Sequence, residues 1–380
     1  MTADRPESLR ARELGIRIGR MEPGSHDAIT DVPGVRVGHA TLIHGEGALH
    51  PGQGPVRTGV TVVIPHDGDI WTEPVFAGAH RLNGNGELTG LEWIREAGML
   101  AGAIGITNTH SVGVVHDALI EAAVRAHAMS DAVWALPVAG ETYDGALSDI
   151  NGFHVRAEHV HAALAAASGG RVPEGNVGGG TGMICHEFKG GIGTASRLAD
   201  RWTVGVLVQA NYGERALLRI DGVPVGAAIP VSEVPSPWDQ VDALGARSGA
   251  EGGSIIGIVA TDAPLLPHQC ARLAQRVGMG VARMGSYASH GSGDLFIAFA
   301  TGNRDLSRNA GEDDPRPTVE LRMLADRHIN PLLEAVAEAS EEAIVNALLA
   351  AETMVGRDGI TAHALDPGRL MELMRAHGRG

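Results

Sequence analysis

Short apolar runs rich in β-branched residues recur along the chain and predict strands that are buried on both faces. The predicted strands span residues 60–65, 132–138, 203–210, 255–261 and 295–301. Apolar positions at helical spacing predict helices over residues 117–128, 157–167 and 267–277, and a long Ala, Leu and Glu-rich stretch at 331–355 predicts a helix pair or a broken helix that stops at Gly359. Helices covering buried sheets predict an α/β fold.

The clearest break in this pattern is the segment 231–253, which is rich in Pro, Gly, Ala and Ser. This composition predicts an exposed and flexible connector. A connector between domains would normally lead into a turn or a helix, but this one leads directly into the predicted strand 255–261. Ser254 is the residue at the junction.

Length and charge narrow the class of protein. The chain has 380 residues, enough for one large layered domain or two modest ones. Its 30 Lys and Arg residues against 45 Asp and Glu residues give a formal net charge of −15, which argues against a nucleic-acid partner. The 53 glycines are about twice the usual share of ~7% and predict tight turns and backbone-lined clefts.

Several other sites and locations are not expected from this sequence. The charged start of the chain has no apolar segment of a secretory signal, and no run approaches the ~18 apolar residues of a membrane span, so a soluble cytoplasmic protein is expected. Cys185 and Cys270 are too few for a disulfide framework or a cysteine zinc site and are expected to be buried free thiols.

Lys189 is the only lysine in the chain, and its turn-like surroundings predict a solvated side chain. The 18 histidines are scattered without an H-E-x-x-H motif, so no metal is expected. The glycine run at 175–182 completes no G-x-G-x-x-G motif, so it predicts close backbone packing rather than dinucleotide binding. A G-x-S-x-G nucleophile motif is also missing around Ser254 and Ser292.

The residues at the Gly253–Ser254 junction would suit one particular reaction. If this peptide bond were cut, Ser254 would carry both a hydroxyl nucleophile and a free α-amine, whose ordinary pKa of ~7.7–8.0 suits a general base near neutral pH. Glycine on the acyl side leaves the carbonyl open to attack by the hydroxyl. On spacing alone, however, Gly-Gly-Ser is typical of an ordinary linker.

Six segments occur in order along the chain and together carry a resemblance. They are ITDVPGVRVGH (29–39), GETYDG (140–145), GNVGGGTGM (175–183), QANYG (209–213), GSII (253–256) and GSGD (291–294). The chain resembles, from about residue 12 to 365, the DmpA-type aminopeptidases. This family of self-cleaving N-terminal-nucleophile serine peptidases includes L-aminopeptidase/D-amidase-esterases and β-peptidyl aminopeptidases.

The resemblance implies a fold and a processing event. The expected fold is a four-layer αββα sandwich, of the type shared with ornithine acetyltransferase, formed by a single domain of residues 1–380. Self-cleavage is expected to give an α chain of residues 1–253 and a β chain of residues 254–380 that stay together. No cofactor is implied, and the αβ units are expected to form a homo-oligomer, commonly a tetramer.

The resemblance also implies roles for particular residues beside the nucleophile. Ser292 and Asp294 match the serine and the acidic residue that assist it; some relatives have Glu at the acidic position. Asn211 matches the side-chain amide that donates into the oxyanion hole, and Tyr143 matches a tyrosine of the same pocket. Glu141 is expected to bind the substrate amine. On the residues alone, Ser292 and Asn211 are typical of turns, and Glu141 could pair with an arginine.

These expectations combine into one predicted function. The protein is expected to release N-terminal residues from short peptides, amides or esters through an acyl-enzyme on Ser254. Whether the substrates are L-α, D or β amino-acid derivatives stays open. The alternatives are an acyltransferase of the ornithine acetyltransferase type, in which the nucleophile is threonine, and an uncleaved non-enzymatic binding protein.

Overall fold

Two β-sheets packed face to face occupy the centre of this computed structural model, which describes residues 9–130, 133–245, 253–306 and 318–379. Along these ranges the strands are β1 (Arg36–His44), β2 (Val56–Ile64), β3 (Val75–Gly84), β4 (Met99–Leu100), β5 (Ile104–Asn108), β6 (Val138–Thr142), β7 (Ile184–Cys185), β8 (Phe188–Lys189), β9 (Gly191–Ala199), β10 (Trp202–Asn211), β11 (Ser254–Thr261), β12 (Gly293–Ala300), β13 (Met354–Val355) and β14 (Thr361–Ala362).

Strand order differs between the two sheets. The smaller sheet has the order β1-β2-β5-β6, and the larger has the order β4-β3-β12-β11-β10-β9. The pairs β5/β6 and β11/β12 are parallel, and the other neighbours are antiparallel. The short strands β7/β8 and β13/β14 form two separate antiparallel pairs.

Helices cover both outer faces of the paired sheets. The helices in the described ranges are α1 (Leu91–Ala97), α2 (Val112–Ala126), α3 (Ala157–Ala166), α4 (Val225–Ala228), α5 (Pro237–Ala243), α6 (Pro267–Arg283), α7 (Asn330–Leu349) and α8 (Pro367–Ala376). Helices α2 and α3 pack on the smaller sheet, and α6 and α7 pack on the larger. The layers are therefore α, β, β and α, which confirms the predicted sandwich. None of the helices in the described ranges has the length and apolar character needed to cross a membrane.

Three apolar clusters fill the spaces between these layers. Ile106 of the smaller sheet and Ile256, Ile258 and Phe299 of the larger sheet belong to the central cluster. A second cluster lies between the smaller sheet and α2 and α3, and a third lies between the larger sheet and α6 and α7. The continuous apolar runs of the inner strands follow from this arrangement, because each inner strand is covered on both faces.

The sequence pattern locates four of the five predicted strands correctly. The predicted strands at 60–65, 203–210, 255–261 and 295–301 fall on β2, β10, β11 and β12. The prediction at 132–138 is wrong: residues 133–137 form no strand, residue 132 lies outside the described residues, and β6 begins only at Val138. Pro137 cannot donate a ladder hydrogen bond, so the strand starts after it.

The predicted helices hold with changes in their bounds. Those at 157–167 and 267–277 fall on α3 and on the longer α6, while the helix predicted at 117–128 begins earlier, at Val112. The prediction of a helix pair or a broken helix that stops at Gly359 is wrong, because α7 is one helix that ends at Leu349 and β13 follows. Asn176 holds the chain beyond α7 through two hydrogen bonds to the backbone of Glu352, at 2.8 and 3.2 Å.

The segment 231–253 is not a plain flexible connector. It contains the helix α5, whose N-terminus is capped by Ser236 through a 3.2 Å hydrogen bond from the backbone N–H of Trp238. Ser236 and Pro237 are buried. Residues 246–252 of the predicted connector lie outside the described residues.

The expectation of a solvated Lys189 is also wrong. Its side chain is fully buried on β8, and Nζ donates to the carbonyl oxygens of Met183 and Gly190, both at 2.9 Å, and of Gly180 at 3.3 Å. The three acceptors replace the water that a turn lysine would bind. Both cysteines are buried free thiols, as predicted.

A buried ion-pair network joins the larger sheet to helix α7. Arg197 of β9 is fully buried, and its guanidinium lies 2.5 Å from Glu342 and 3.1 Å from Glu338, both on α7. It also donates to the carbonyl oxygen of Ile18 at 2.7 Å. Glu342 also pairs with Arg12 at 2.9 Å. Removing Arg197 therefore leaves Glu338 buried without an ion-pair partner in the described ranges, and Glu342 with Arg12 alone.

We expect Arg197→Met to lower the free energy of unfolding by about 3–5 kcal/mol, because Glu338 and Glu342 lose their buried partner. Urea unfolding followed by circular dichroism measures this loss. The matched control is Arg20→Met, which removes an exposed arginine that pairs at 2.6 Å with Glu334 of the same helix and should leave the free energy of unfolding nearly unchanged. Equal losses of unfolding free energy in the two variants would contradict a stabilising role of the buried ion pairs of Arg197.

Candidate active site

The register of three strands brings Ser254 to one edge of the larger sheet. Ser254 is the first residue of β11, and its two cross-strand partners are Asn211, the last residue of β10, and Gly293, the first residue of β12. Ser254 is buried, with 6% of its surface exposed. Because β11 and β12 are parallel, both begin at this edge.

Ser292 and Asp294 flank Gly293 and form a buried hydrogen-bonded pair. The Ser292 hydroxyl donates to Oδ1 of Asp294 at 2.6 Å. Burial raises the pKa of Asp294 to about 6, against the opposing effects of the Ser292 hydroxyl and the backbone N–H of Ile255. Asp294 is therefore mostly ionised at pH 7, and its carboxylate accepts the hydrogen bond of the Ser292 hydroxyl.

Two hydrogen bonds fix the side-chain amide of Asn211. Its Oδ1 accepts from the backbone N–H of Ile184 at 2.7 Å, and its Nδ2 donates to the carbonyl oxygen of Tyr143 at 3.0 Å. An amide nitrogen carries two hydrogens, so one of them is left for a ligand beside Ser254. Asn211 thus meets the geometric requirement of an oriented donor.

Tyr143 follows β6, and its ring covers Gly145. A Cβ placed on Gly145 would lie 2.4 Å from the Tyr143 hydroxyl oxygen, so only glycine leaves room for the ring in this position. Tyr143 is half-buried, and its carbonyl is the acceptor for Asn211. The tyrosine therefore lies next to the amide of Asn211, the cross-strand partner of Ser254.

Glu141 of β6 is buried on the facing sheet, with 2% of its surface exposed. Its carboxylate accepts from the Thr109 hydroxyl at 2.5 Å and from the backbone N–H of Glu87 at 3.1 Å. Burial raises its pKa, while these two donors act in the opposite direction. In the described ranges no lysine or arginine lies within 4.0 Å of it, so the arginine pairing considered from the sequence does not occur there.

Gly86 lies between the Glu141 carboxylate and the start of β12. A Cβ on Gly86 would lie 2.9 Å from Oε1 of Glu141 and 3.3 Å from Cα of Gly293. The backbone at Gly86 therefore fits closely between the carboxylate and the strand that follows Ser292. The structure thus brings together all six residues predicted for the site: Ser254, Ser292, Asp294, Asn211, Tyr143 and Glu141.

A cavity of about 310 Å³ opens beside the Gly253–Ser254 junction. Gly253 and Ser292 line it, and its wall also carries four carboxylates, which belong to Glu187, Glu214, Asp239 and Asp242. No basic residue of the described ranges is part of the lining. The described part of the cavity wall is therefore acidic.

The glycine run predicted to pack closely does so between the two sheets. Gly178–Gly180 form a 3₁₀ turn, and a Cβ on Gly179 would lie 2.1 Å from the side-chain oxygen of Gln209. His186 at the nearby β7–β8 turn is buried against Tyr212, and burial lowers its pKa to about 4. In the described ranges no group of three or more His, Cys, Asp or Glu residues is placed to hold a metal ion.

The sequence does not reveal the residues that hold Glu141 and Asn211 in place. Glu87 and Ile184 act through their backbone N–H groups, which carry no signal in the side-chain pattern. Thr109 follows β5 and reaches Glu141 only because β5 and β6 are parallel neighbours. The Asn-Thr-His sequence at 108–110 contains polar residues after an apolar run, which is the one signal that could have pointed to it.

Comparisons with known proteins identify the family of the chain. The model of peptidase family S58 matches residues 27–362. Beta-peptidyl aminopeptidase BapA of Sphingosinicella microcystinivorans is 46% identical over 379 residues, covering 98% of this chain and 93% of the relative. The BapA of Sphingosinicella xenopeptidilytica is 42% identical, with coverage of 97% and 91%.

Two solved structures share the whole architecture. A beta-aminopeptidase of Burkholderia sp. superposes with a TM-score of 0.89 at 52% identity, covering 98% of this chain and 100% of the other. The L-aminopeptidase D-Ala-esterase/amidase of Ochrobactrum anthropi, described as a prototype for the serine aminopeptidases with a variant of the Ntn-hydrolase fold, gives 0.88 at 42% identity, covering 97% and 99%.

This chain belongs to peptidase family S58. It is a hydrolase with the Ntn-hydrolase fold of the DmpA type, and its activity is that of a serine aminopeptidase.

Proposed function

We propose that the chain cuts itself between Gly253 and Ser254 and then uses Ser254 as the nucleophile of an aminopeptidase. The observation that carries the proposal is the position of Ser254 at the sheet edge, with the oriented amide of Asn211 on one side and the Ser292–Asp294 pair on the other. The products are an α chain of residues 1–253 and a β chain of residues 254–380, which together form one αββα domain.

The self-cleavage step is an acyl shift from nitrogen to oxygen. The Ser254 hydroxyl oxygen attacks the Gly253 carbonyl carbon, and its proton passes toward the Ser292–Asp294 pair. The Asn211 amide stabilises the negative oxygen of the tetrahedral intermediate. The C–N bond then breaks, the nitrogen takes up a proton and becomes the α-amine of Ser254, and water hydrolyses the resulting ester.

Gly253 is suited to this step by its close packing. A Cβ at this position would lie 1.7 Å from the carbonyl oxygen of Asn211, so a larger residue would push the scissile bond away from its neighbours. Ser254 and Gly253 are thereby fixed against the end of β10. This fixed approach replaces the freedom expected of an ordinary Gly-Ser linker.

Hydrolysis of a substrate repeats the same chemistry with a new base. The α-amine of Ser254, whose ordinary pKa is ~7.7–8.0, takes the hydroxyl proton as the oxygen attacks the substrate carbonyl. Asn211 again donates to the oxyanion, and Tyr143 lies beside it. The departing amine receives the proton, and water then releases the acyl group from Ser254.

Glu141 accounts for the preference for a free N-terminus. A protonated amine bound to its buried carboxylate forms a charge-assisted hydrogen bond, which is stronger than a neutral one. The carboxylates of the cavity beside Gly253 add a negative field that attracts cationic substrates.

We further propose N-terminal β-amino acids as the preferred substrates. The names of the two BapA relatives and of the Burkholderia structure support this choice. The L-aminopeptidase D-Ala-esterase/amidase from Ochrobactrum anthropi, at 42% identity, makes L-α and D amino-acid amides the comparison substrates. The homo-oligomer of αβ units stays a prediction from the resemblance, and the cytoplasmic location stays a prediction from the sequence. Family membership does not favour the acyltransferase alternative.

We expect Ser254→Ala to accumulate as one uncut chain. The wild-type chain should give two fragments, residues 1–253 and 254–380. Intact mass spectrometry of the denatured proteins measures this directly. Ser286→Ala is the matched control, because Ser286 lines the same cavity and lies outside the proposed machinery. A single uncut wild-type chain would overturn the mechanism and favour the non-enzymatic alternative.

We expect Glu141→Gln to lower kcat/KM for an amino-acid p-nitroanilide with a free N-terminus by about 10–100-fold, the worth of one hydrogen bond to a charged group. Glu87→Gln is the control. It removes an exposed carboxylate from the residue whose backbone N–H donates to Glu141, and it leaves that N–H in place. Equal kcat/KM values in the two variants would contradict the assignment of Glu141 to the amine.

We expect the rate of self-cleavage to fall about tenfold per pH unit below pH 6, because protonation of Asp294, with its raised pKa of about 6, removes the acceptor of the Ser292 proton. The uncut precursor has no α-amine on Ser254, so that group does not affect this profile. Precursor refolded from denaturant and sampled by gel electrophoresis gives the rates. Asp294→Asn should be slow at every pH, and a wild-type rate that is level from pH 7 to 4.5 would contradict the role.

A further inference from the structure

Lys189 is a fully buried charged residue near the site that the proposed chemistry does not use. Its three ammonium hydrogens match three backbone acceptors, the carbonyl oxygens of Gly180, Met183 and Gly190. An ammonium group has three donors and no acceptor, so this arrangement suits the protonated form. A neutral amine would turn a lone pair toward a carbonyl oxygen.

This charge has an energetic cost that ordinary packing would avoid. Burial lowers the pKa of Lys189 to about 7. No carboxylate of the described ranges lies within 4.0 Å of Nζ, so the backbone carbonyls alone compensate the charge. A methionine would fill the same volume without that cost, which indicates a role for the donors themselves.

The three carbonyls belong to the segment that orients Asn211. Nζ joins the turn at Gly180–Met183 to Gly190, and the backbone N–H of Gly190 also donates to the Met183 carbonyl at 2.8 Å. Ile184 directly follows Met183, and its N–H is the donor to Oδ1 of Asn211. The position of the Asn211 amide therefore depends on the residues that Lys189 holds.

We propose that Lys189 is a positioning residue for the oxyanion donor: its ammonium holds residues 180–190 so that the Ile184 N–H orients the Asn211 amide toward the carbonyl attacked by Ser254. The inference rests on the proposed function, because it assigns a residue that acts through Asn211. Lys189 itself touches no reacting atom.

A double-mutant cycle tests this link with the full-length chain. We expect Lys189→Met to slow self-cleavage of refolded precursor by about 10–100-fold, less than the 10²–10³ cost of removing an oxyanion donor outright. In an Asn211→Ala background the same substitution should slow it by less than about 3-fold, because the donor that Lys189 positions is already missing. In the processed enzyme kcat should fall while KM for an amino-acid p-nitroanilide stays within about 2-fold.

Two further variants separate positioning from loss of stability. Cys185→Ala is the matched control, since it alters a buried side chain of the same β7–β8 pair without removing a donor to residues 180–190. Lys189→Arg keeps a positive charge and several donors, and it should recover at least tenfold of the rate lost in Lys189→Met. If Lys189→Met does not fold, as judged by thermal melting, Lys189→Gln takes its place, because it removes the charge and keeps a polar side chain; it should show the same non-additivity with Asn211→Ala.

The outcomes distinguish this inference from the proposed function. Equal rate losses from Lys189→Met in the two backgrounds, or a folded Lys189→Met with the wild-type rate, would overturn the positioning role and leave the proposed function intact. A wild-type chain that is never cut, or a fully active Asn211→Ala, would instead overturn the proposed function.

Discussion

The site depends on the hydrogen-bonded register of β10, β11 and β12. Antiparallel pairing places Asn211 beside Ser254, and parallel pairing places Gly293 on its other side. A slip of one residue in either ladder would turn every side chain of β11 to the opposite face, which the buried apolar clusters on both sides do not permit. The packing of the core therefore also fixes the position of Ser254, and the hydrogen bonds of the neighbouring polar side chains fix their orientation around it.

Around this edge, side chains of the candidate site and its surroundings are held by backbone groups. Glu141 accepts from the backbone of Glu87, Asn211 accepts from the backbone of Ile184, and Lys189 donates to three carbonyls. Backbone partners cannot change rotamer, so they give a fixed orientation with little loss of side-chain entropy. The same close contacts with backbone explain many of the glycines, because two backbone segments can approach closely only where no Cβ stands between them.

The sequence predicts the parts of this structure in which one local signal dominates. The apolar runs locate β2, β10, β11 and β12, and the motif resemblance selects six residues that the fold brings together, although their chemical roles stay proposals. The strand expected at 132–138 is wrong because apolar character alone does not reveal that Pro137 delays β6 until Val138. Lys189 is misjudged because charge normally predicts exposure, and its three acceptors come from backbone that only the folded chain brings near. Such non-local backbone contacts leave no pattern in a single sequence.

The strand order of the larger sheet has a consequence for any chain cut after Gly253. Strands β11 and β12 follow that bond, and they lie between β3 on one side and β10 on the other, both of which precede it. The shorter piece would thus be interleaved with the longer one, with a hydrogen-bond ladder on each side and α7 packed across β9 and β10. Separation would require opening both ladders at once, and reassembly would require inserting two strands into a divided sheet. Folding must therefore come before cutting, and the two-chain product would be a kinetically trapped assembly rather than one in equilibrium with its separate pieces.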